Sequence, residues 1–163
     1  MMTKKMEQAI NDQMQKEFYS SYLYLSMSAY CYENNLKGFG HWMKLQSQEE
    51  TSHGMKFYEY MIARGNRVLL EPIEQPPHAF KSLTEVIQKS LEHEKKVTAL
   101  LHRLYELTMK EKDYASQGIL QWYINEQVEE EATVNEILQK LKLISDKSSA
   151  ILYLDKEMGK RAP

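Results

Sequence analysis

Glu50 and His53 stand three residues apart on the apolar stripe of a long helical pattern: Phe39, Met43, Gln46, Glu50, His53, Phe57, Met61. Residues three or four apart on a helix share one face. The carboxylate and the imidazole therefore point where a core should be. A buried carboxylate is costly unless it is paired, hydrogen-bonded or bound to a metal. Whatever this chain folds into must bring partners to that stripe from elsewhere. The same oddity recurs three times. Glu17 lies on the stripe Ile10, Met14, Glu17, Ser21, Tyr24, Ser28. Glu94 lies on Leu83, Ile87, Ser90, Glu94, Val97, Leu101, Leu104. Gln127 and Glu130 lie on Ile119, Tyr123, Gln127, Glu130, Val134, Ile137, Leu141.

The punctuation between these stripes is sparse. There are 6 Gly and 4 Pro, so long unbroken helices are expected. The first should run from Lys4 to Asn34 with Thr3 as N-cap, and the pair Asn34-Asn35 ends it. The second should run from Leu36 to Arg64, stopped by Gly65-Asn66. A linker from Asn66 to Lys81 follows and holds Pro72, Pro76 and Pro77. Its apolar residues, Val68-Leu69-Leu70 and Ile73, should pack on the helices, and Val68-Leu69-Leu70 is the single candidate strand. A connection this long lets the third helix start from the far end of a bundle. Ser82-Leu83-Thr84-Glu85 reads as a capping box for a helix to Lys110. After a break at Lys112-Asp113, with Asp113 as cap, a fourth helix should reach Leu143. Asp146 can cap a last short helix ending at Met158. The reading is all-α: a four-helix bundle with a long crossover between helices two and three, then a short fifth helix. Residues 1–163 are read as a single domain.

Each odd polar residue falls near the middle of its helix, roughly 18–26 Å from the helix start at about 1.5 Å per residue. Helices of similar length packed side by side would bring Glu17, Glu50, His53, Glu94, Gln127 and Glu130 to one buried spot. Carboxylates crowded in a dry site push one another's pKa up, and a pair of cations removes the conflict. Oxygen ligands with one imidazole do not suit structural zinc, which favours closed Cys/His sites. They suit iron or manganese.

At this point the chain resembles the ferritins, and most closely the bacterial non-haem ferritins. Ferritin-like di-metal bundles use one Glu from each of two helices and Glu-x-x-His from the others. Glu17 and Glu94 match the single glutamates, and Glu50-Thr51-Ser52-His53 matches one Glu-x-x-His. Helix four departs, with Gln127-Val128-Glu129-Glu130 in place of the second motif, as in the ferritin version where the second iron is held less tightly. The resemblance implies one iron on Glu17, Glu50 and His53, and a second on Glu50, Glu94 and Glu130 with Gln127 nearby. Glu50 would bridge. It also implies a role for Tyr24 beside the di-iron centre, hydrogen-bonding to Glu94 or supplying an electron; the alternative is plain bundle packing. A possible third iron site is implied at Glu49, Glu126, Glu129 and Glu130, where the alternative is a solvated acidic face.

Function then follows as an expectation: ferroxidase activity, oxidising Fe2+ with O2 or H2O2, and iron storage as a hydrated Fe3+ oxide in a 24-subunit shell. A solitary di-iron oxidase would keep two Glu-x-x-His motifs, and a non-catalytic scaffold leaves the convergent glutamates unexplained. Mini-ferritins lack the last helix. Haem is not expected, because Thr51 occupies the position of the bacterioferritin haem-binding Met. The apolar last helix is expected to pack around a shell axis, so truncation after Ser145 should weaken assembly.

Charge and composition exclude other classes. The formal net charge is −2, which gives no basis for a nucleic-acid partner. No apolar run is long enough to span a membrane, and the first 18 residues have no signal-peptide core. The lone Cys31 suits a reducing compartment, so a cytoplasmic home is expected. Cys31 reads as a small apolar residue and Trp122 as a packing residue. His41, His78, His93 and His102 are expected at the surface.

Overall fold

Thr3 starts the first helix as expected: its side chain accepts from the Met6 N–H at 3.3 Å. The computed structural model describes residues 2–144 and 149–163. It has helices α1 (Lys4–Glu33), α2 (Lys37–Ala63), α3 (Leu83–Glu111), α4 (Tyr114–Leu143) and α5 (Ala150–Met158), and no strand among the described residues. Asn35 and Gly65 both take left-handed backbone angles, with φ of 59° and 68°, at the ends that the sequence marks.

The apolar residues form two clusters. One contains Met27 of α1, Met43 of α2, Ile87 of α3 and Leu138 of α4. The other contains Met14, Phe57, Leu101 and Leu120 from the same helices. The low-numbered end of α1 and α4 therefore meets the high-numbered end of α2 and α3. So α1 runs parallel to α4 and antiparallel to α2 and α3. Because α2 and α3 are parallel, the chain must travel the length of the bundle between them. It does so against α1. Glu7 accepts from the Asn66 side chain at 2.7 Å, and Asn11 clasps Arg67 and Leu69. Further along, Gln15 and Ser26 donate to the carbonyls of Pro72 and Pro77. Side chains of α1 thus satisfy backbone groups that a strand would have paired. This is why Val68-Leu69-Leu70 is not a strand, and Leu70 is 73% exposed.

Three local expectations need correction. Asp113 stands at the α4 N-cap, but its side chain makes no capping bond. Instead it holds Arg64 at 3.0 Å and the Ser116 hydroxyl at 2.6 Å, tying α2 to α4. Ser82 accepts from Glu85 N–H as a capping box requires, but Glu85 reaches back to Lys81 N–H. The buried face of α1 takes in Ser20 while Ser21 is half-buried, and α4 buries Leu120 rather than Ile119. Asp146, the expected cap of α5, lies outside the described residues.

The last helix is seated by a contact that local patterns do not reveal. Leu36 gives α2 no side-chain cap. Asp155 of α5 supplies one, accepting from Gly38 N–H at 3.1 Å and Phe39 N–H at 2.9 Å. A Cβ on Gly38 would lie 1.6 Å from the Asp155 carbonyl oxygen, so this approach requires glycine. Ile151 and Met158 join the first cluster, while Leu152 and Tyr153 remain 63% and 70% exposed. No helix among the described residues is long and apolar enough to cross a membrane.

Candidate metal centre

Between the two apolar clusters lies a polar layer, and it holds all six residues on which the four stripes converge. Glu17, Glu50, His53, Glu94, Gln127 and Glu130 are each buried, at 8% exposure or less. Ligand atoms of Glu17, Glu50 and His53 lie within 4.8 Å of one another. His53 Nδ1 sits 3.4 Å from a Glu50 oxygen. The His53 ring is held edge-on by Trp122 and Tyr123, and the Tyr123 hydroxyl donates to the His53 carbonyl at 2.6 Å. Trp122 is the packing residue expected.

The remaining members join through hydrogen bonds. Tyr24 donates to Glu94 in a short contact. The Gln127 amide nitrogen donates to the other Glu94 oxygen at 3.1 Å. Gln127 therefore orients Glu94 here. Gln46 donates to Glu130 at 2.8 Å and to Glu50 at 3.3 Å, linking two carboxyls from different helices. Gln13 donates to Glu17 at 2.7 Å. Gln13 and Gln46 are site residues that pattern reading did not single out. A signal was present: each is a glutamine four residues before a buried glutamate, the spacing that lets side chains meet on a helix.

Burial is the largest force on the charges. It pushes the Glu17 carboxyl up to about 8, reinforced by Glu50. It pushes Glu130 up to about 9, reinforced by Glu94 and Glu50. Glu50 and Glu94 are raised for the same first cause. Tyr24 is held far above the ordinary phenol value by burial and then by Glu94, so it stays a proton donor. At neutral pH the layer therefore holds protons, which any cation bound there would have to displace.

A stability prediction follows. An unfolded glutamate ionises near 4.5. Above that pH the unfolded chain releases protons that folded Glu17 and Glu130 still hold, so unfolding is favoured increasingly. Thermal stability of the metal-free protein should fall as pH rises from about 4.5 to about 8, and this contribution should level off past about 9. Calorimetry of Glu17→Gln against the parent across this range should show a shallower slope; equal slopes would count against a shared buried charge.

A second group adjoins the first. Ligand atoms of Glu49, His53 and Glu126 also lie within 4.8 Å of one another, Glu49 and Glu126 being half-buried. Glu129 is exposed and lies outside that group, but it lines the same cavity of about 350 Å³ with Glu49, Glu126 and Glu130. Arg161 closes one side, donating to Gln46 and Glu49. Arg161 is a third neighbour that the stripes could not reveal.

His93 corrects an expectation. It is half-buried, its Nε2 lies 2.7 Å from the Ser20 hydroxyl, and burial lowers its pKa to about 4. It lies off the α3 stripe, but Ser20 and the Tyr19 ring of α1 pack against it. His41 is half-buried against the Arg161 carbonyl. His78 and His102 are exposed, and Cys31 is fully buried, as expected.

The chain as a whole is similar to known proteins. A sequence profile described as a ferritin-like domain matches residues 7–144. A Bacteroides fragilis protein named bacterial non-heme ferritin is 40% identical, the match covering 99% of this chain and 100% of that one. A Haemophilus influenzae protein named probable bacterial non-heme ferritin-like protein is 38% identical, covering 98% and 96%. Among solved structures, an open pore ferritin from Archaeoglobus fulgidus superposes with a TM-score of 0.97. It is 45% identical, covering 99% of this chain and 98% of that one. With the profile spanning most of the helices and the relatives matching end to end, this chain belongs to the ferritin family.

Proposed function

We propose that this chain is an iron-storage subunit that oxidises Fe2+ inside its own helix bundle, with residues 1–163 acting as one ferritin-like di-iron unit. Family membership supports iron storage in general. The observation that carries the finer reading is the buried polar layer. Carboxyls from four helices share it with one imidazole, and no lysine or arginine is buried among the described residues. Such a donor set suits iron, and its oxygen ligands favour the harder Fe3+ product.

Iron is the substrate here. One Fe2+ would take Glu17, Glu50 and His53, and the other Glu50, Glu94 and Glu130. Glu50 would bridge them, while Gln127 orients Glu94 and Tyr24 donates to Glu94. Each Fe2+ gives one electron. Together they reduce O2, with two protons, to H2O2, or reduce H2O2, with two protons, to two waters. The two donors held by one carboxylate deliver both electrons at one place. Fe3+ then moves to storage as a hydrated oxide in a 24-subunit cytoplasmic shell. Assembly is supported by exposed apolar side chains such as Tyr22, Leu25, Leu70 and Tyr153, which a neighbouring subunit would cover. We place α5 beside a shell axis, its exposed Leu152 and Tyr153 facing other subunits. Neither haem, nucleic acid nor a membrane enters this reading.

Glu49, Glu126 and Glu129, with Glu130, form the proposed third iron site. Glu126→Ala and Glu129→Ala should spare binding of the first two ions, yet change the Fe2+ oxidised per O2 and slow repeated turnover. Stopped-flow oxidation with an oxygen electrode tests both. Unchanged stoichiometry and turnover would reduce the cluster to a solvated face. Failure of the unaltered protein to oxidise Fe2+ faster than buffer would remove the ferroxidase reading.

A further inference from the structure

We propose that Arg161 is a resident counter-cation of the outer carboxylate cluster, so that the C-terminal tail must release Glu49 before a metal ion occupies Glu49 and Glu126. This rests on the preceding reading that the cluster takes iron.

The tail is delivered there by the fold. Asp155 pins α5 to the start of α2, and the chain beyond Gly159 then follows α2. The Arg161 carbonyl meets His41 Nε2 at 3.0 Å. Its guanidinium lies over the Trp42 ring at 4.9 Å. One nitrogen donates to Gln46 Oε1 at 2.7 Å, and another donates to Glu49 Oε2. Backbone, ring, amide and carboxylate contacts thus fix one side chain in one place. The Gln46 amide that accepts from Arg161 also donates to Glu50 and Glu130, which anchors the partner Arg161 rests on.

Glu49 is a member of the group with His53 and Glu126, so Arg161 already neutralises a carboxylate that an ion in that group would need. A guanidinium and a divalent ion repel across a few ångströms, so they exclude each other. The pair is also weak enough to exchange. Its side chains are 26% and 36% exposed, so water screens the pair and weakens it. Arg161 thus holds the outer cluster closed when no ion is present and yields when one arrives.

The test uses Zn2+ as a redox-inert probe on the assembled protein, with calorimetry and crystals. Arg161→Ala and Arg161→Gln should raise outer-cluster affinity about fivefold, the scale of an exposed ion pair. They should leave the ions at Glu17, Glu50 and His53 unchanged, and Arg161→Lys should fall between. In crystals of the unaltered protein with Zn2+ at Glu49 and Glu126, the guanidinium should have left Glu49. Equal outer affinity in the variants, or Zn2+ bound with Arg161 still on Glu49, would overturn the gate. A fall in thermal stability without an affinity change would make Arg161 a structural anchor and overturn it equally. If Zn2+ binds at Glu17, Glu50 and His53 while Arg161 has no effect, the gate alone fails. If Zn2+ binds nowhere in the layer, the metal reading fails and the gate with it.

Discussion

Glu50→Ala is expected to abolish rapid Fe2+ oxidation while leaving the bundle folded. Losing a partner that merely orients a metal ligand costs 10–100-fold, so losing a ligand shared by two ions should lower the initial rate by at least about 100-fold. Stability should not fall in parallel. Glu50 is buried beside Glu17, Glu94 and Glu130, and burial and Glu94 oppose its ionisation in the metal-free state. Glu50→Gln keeps the volume and removes that conflict, so metal-free stability should rise by roughly 1 kcal/mol above neutral pH. The alanine variant also leaves a small void and should stay near level. Stopped-flow kinetics and calorimetry on the same preparations separate the two effects. Wild-type oxidation by Glu50→Ala would show that the chemistry lies elsewhere.

Gly38→Ala should have the largest effect on the fold. The new Cβ would overlap the Asp155 carbonyl oxygen, which is backbone and cannot swing aside. Seating α5 would then cost the two Asp155 bonds to α2 and the burial of Ile151 and Met158. Overpacking and two charge-assisted hydrogen bonds together suggest a loss of roughly 2–4 kcal/mol. Thermal unfolding should show it, and hydrodynamic size should show weaker assembly if α5 meets its neighbours as proposed. Asp155→Asn keeps an acceptor and should lose less. An unchanged melting temperature for Gly38→Ala would mean that α5 is not seated on α2.

The helices and the convergence of the buried layer were legible in the sequence because both are repeats of one local rule. A stripe at helical spacing names its own buried face, and a carboxylate on that face announces a need that other helices must meet. Glu17, Glu50, His53, Glu94, Gln127 and Glu130 could therefore be picked out one stripe at a time. Features that depend on contacts distant in sequence were not legible. Asp155 caps a helix more than a hundred residues earlier, and Arg161 reaches Glu49 only because that cap holds α5 in place. Asp113 has the residue type and position of a cap, but its two oxygens are taken by the Arg64 guanidinium and the Ser116 hydroxyl. His93 looked like a surface residue because it lies off the α3 stripe, but Ser20 of α1 and the Tyr19 ring pack against it.

The buried layer is proposed to bind a pair of iron ions. Anaerobic titration of the purified, metal-free protein with Fe2+, followed by Mössbauer spectroscopy and proton release, tests it most directly. Two Fe2+ per subunit are expected in the layer, with protons released as the raised carboxyls of Glu17 and Glu130 give way to metal, and with loss of the pair in Glu50→Ala. Saturation without paired ions, or with the same ions in Glu50→Ala, would contradict it.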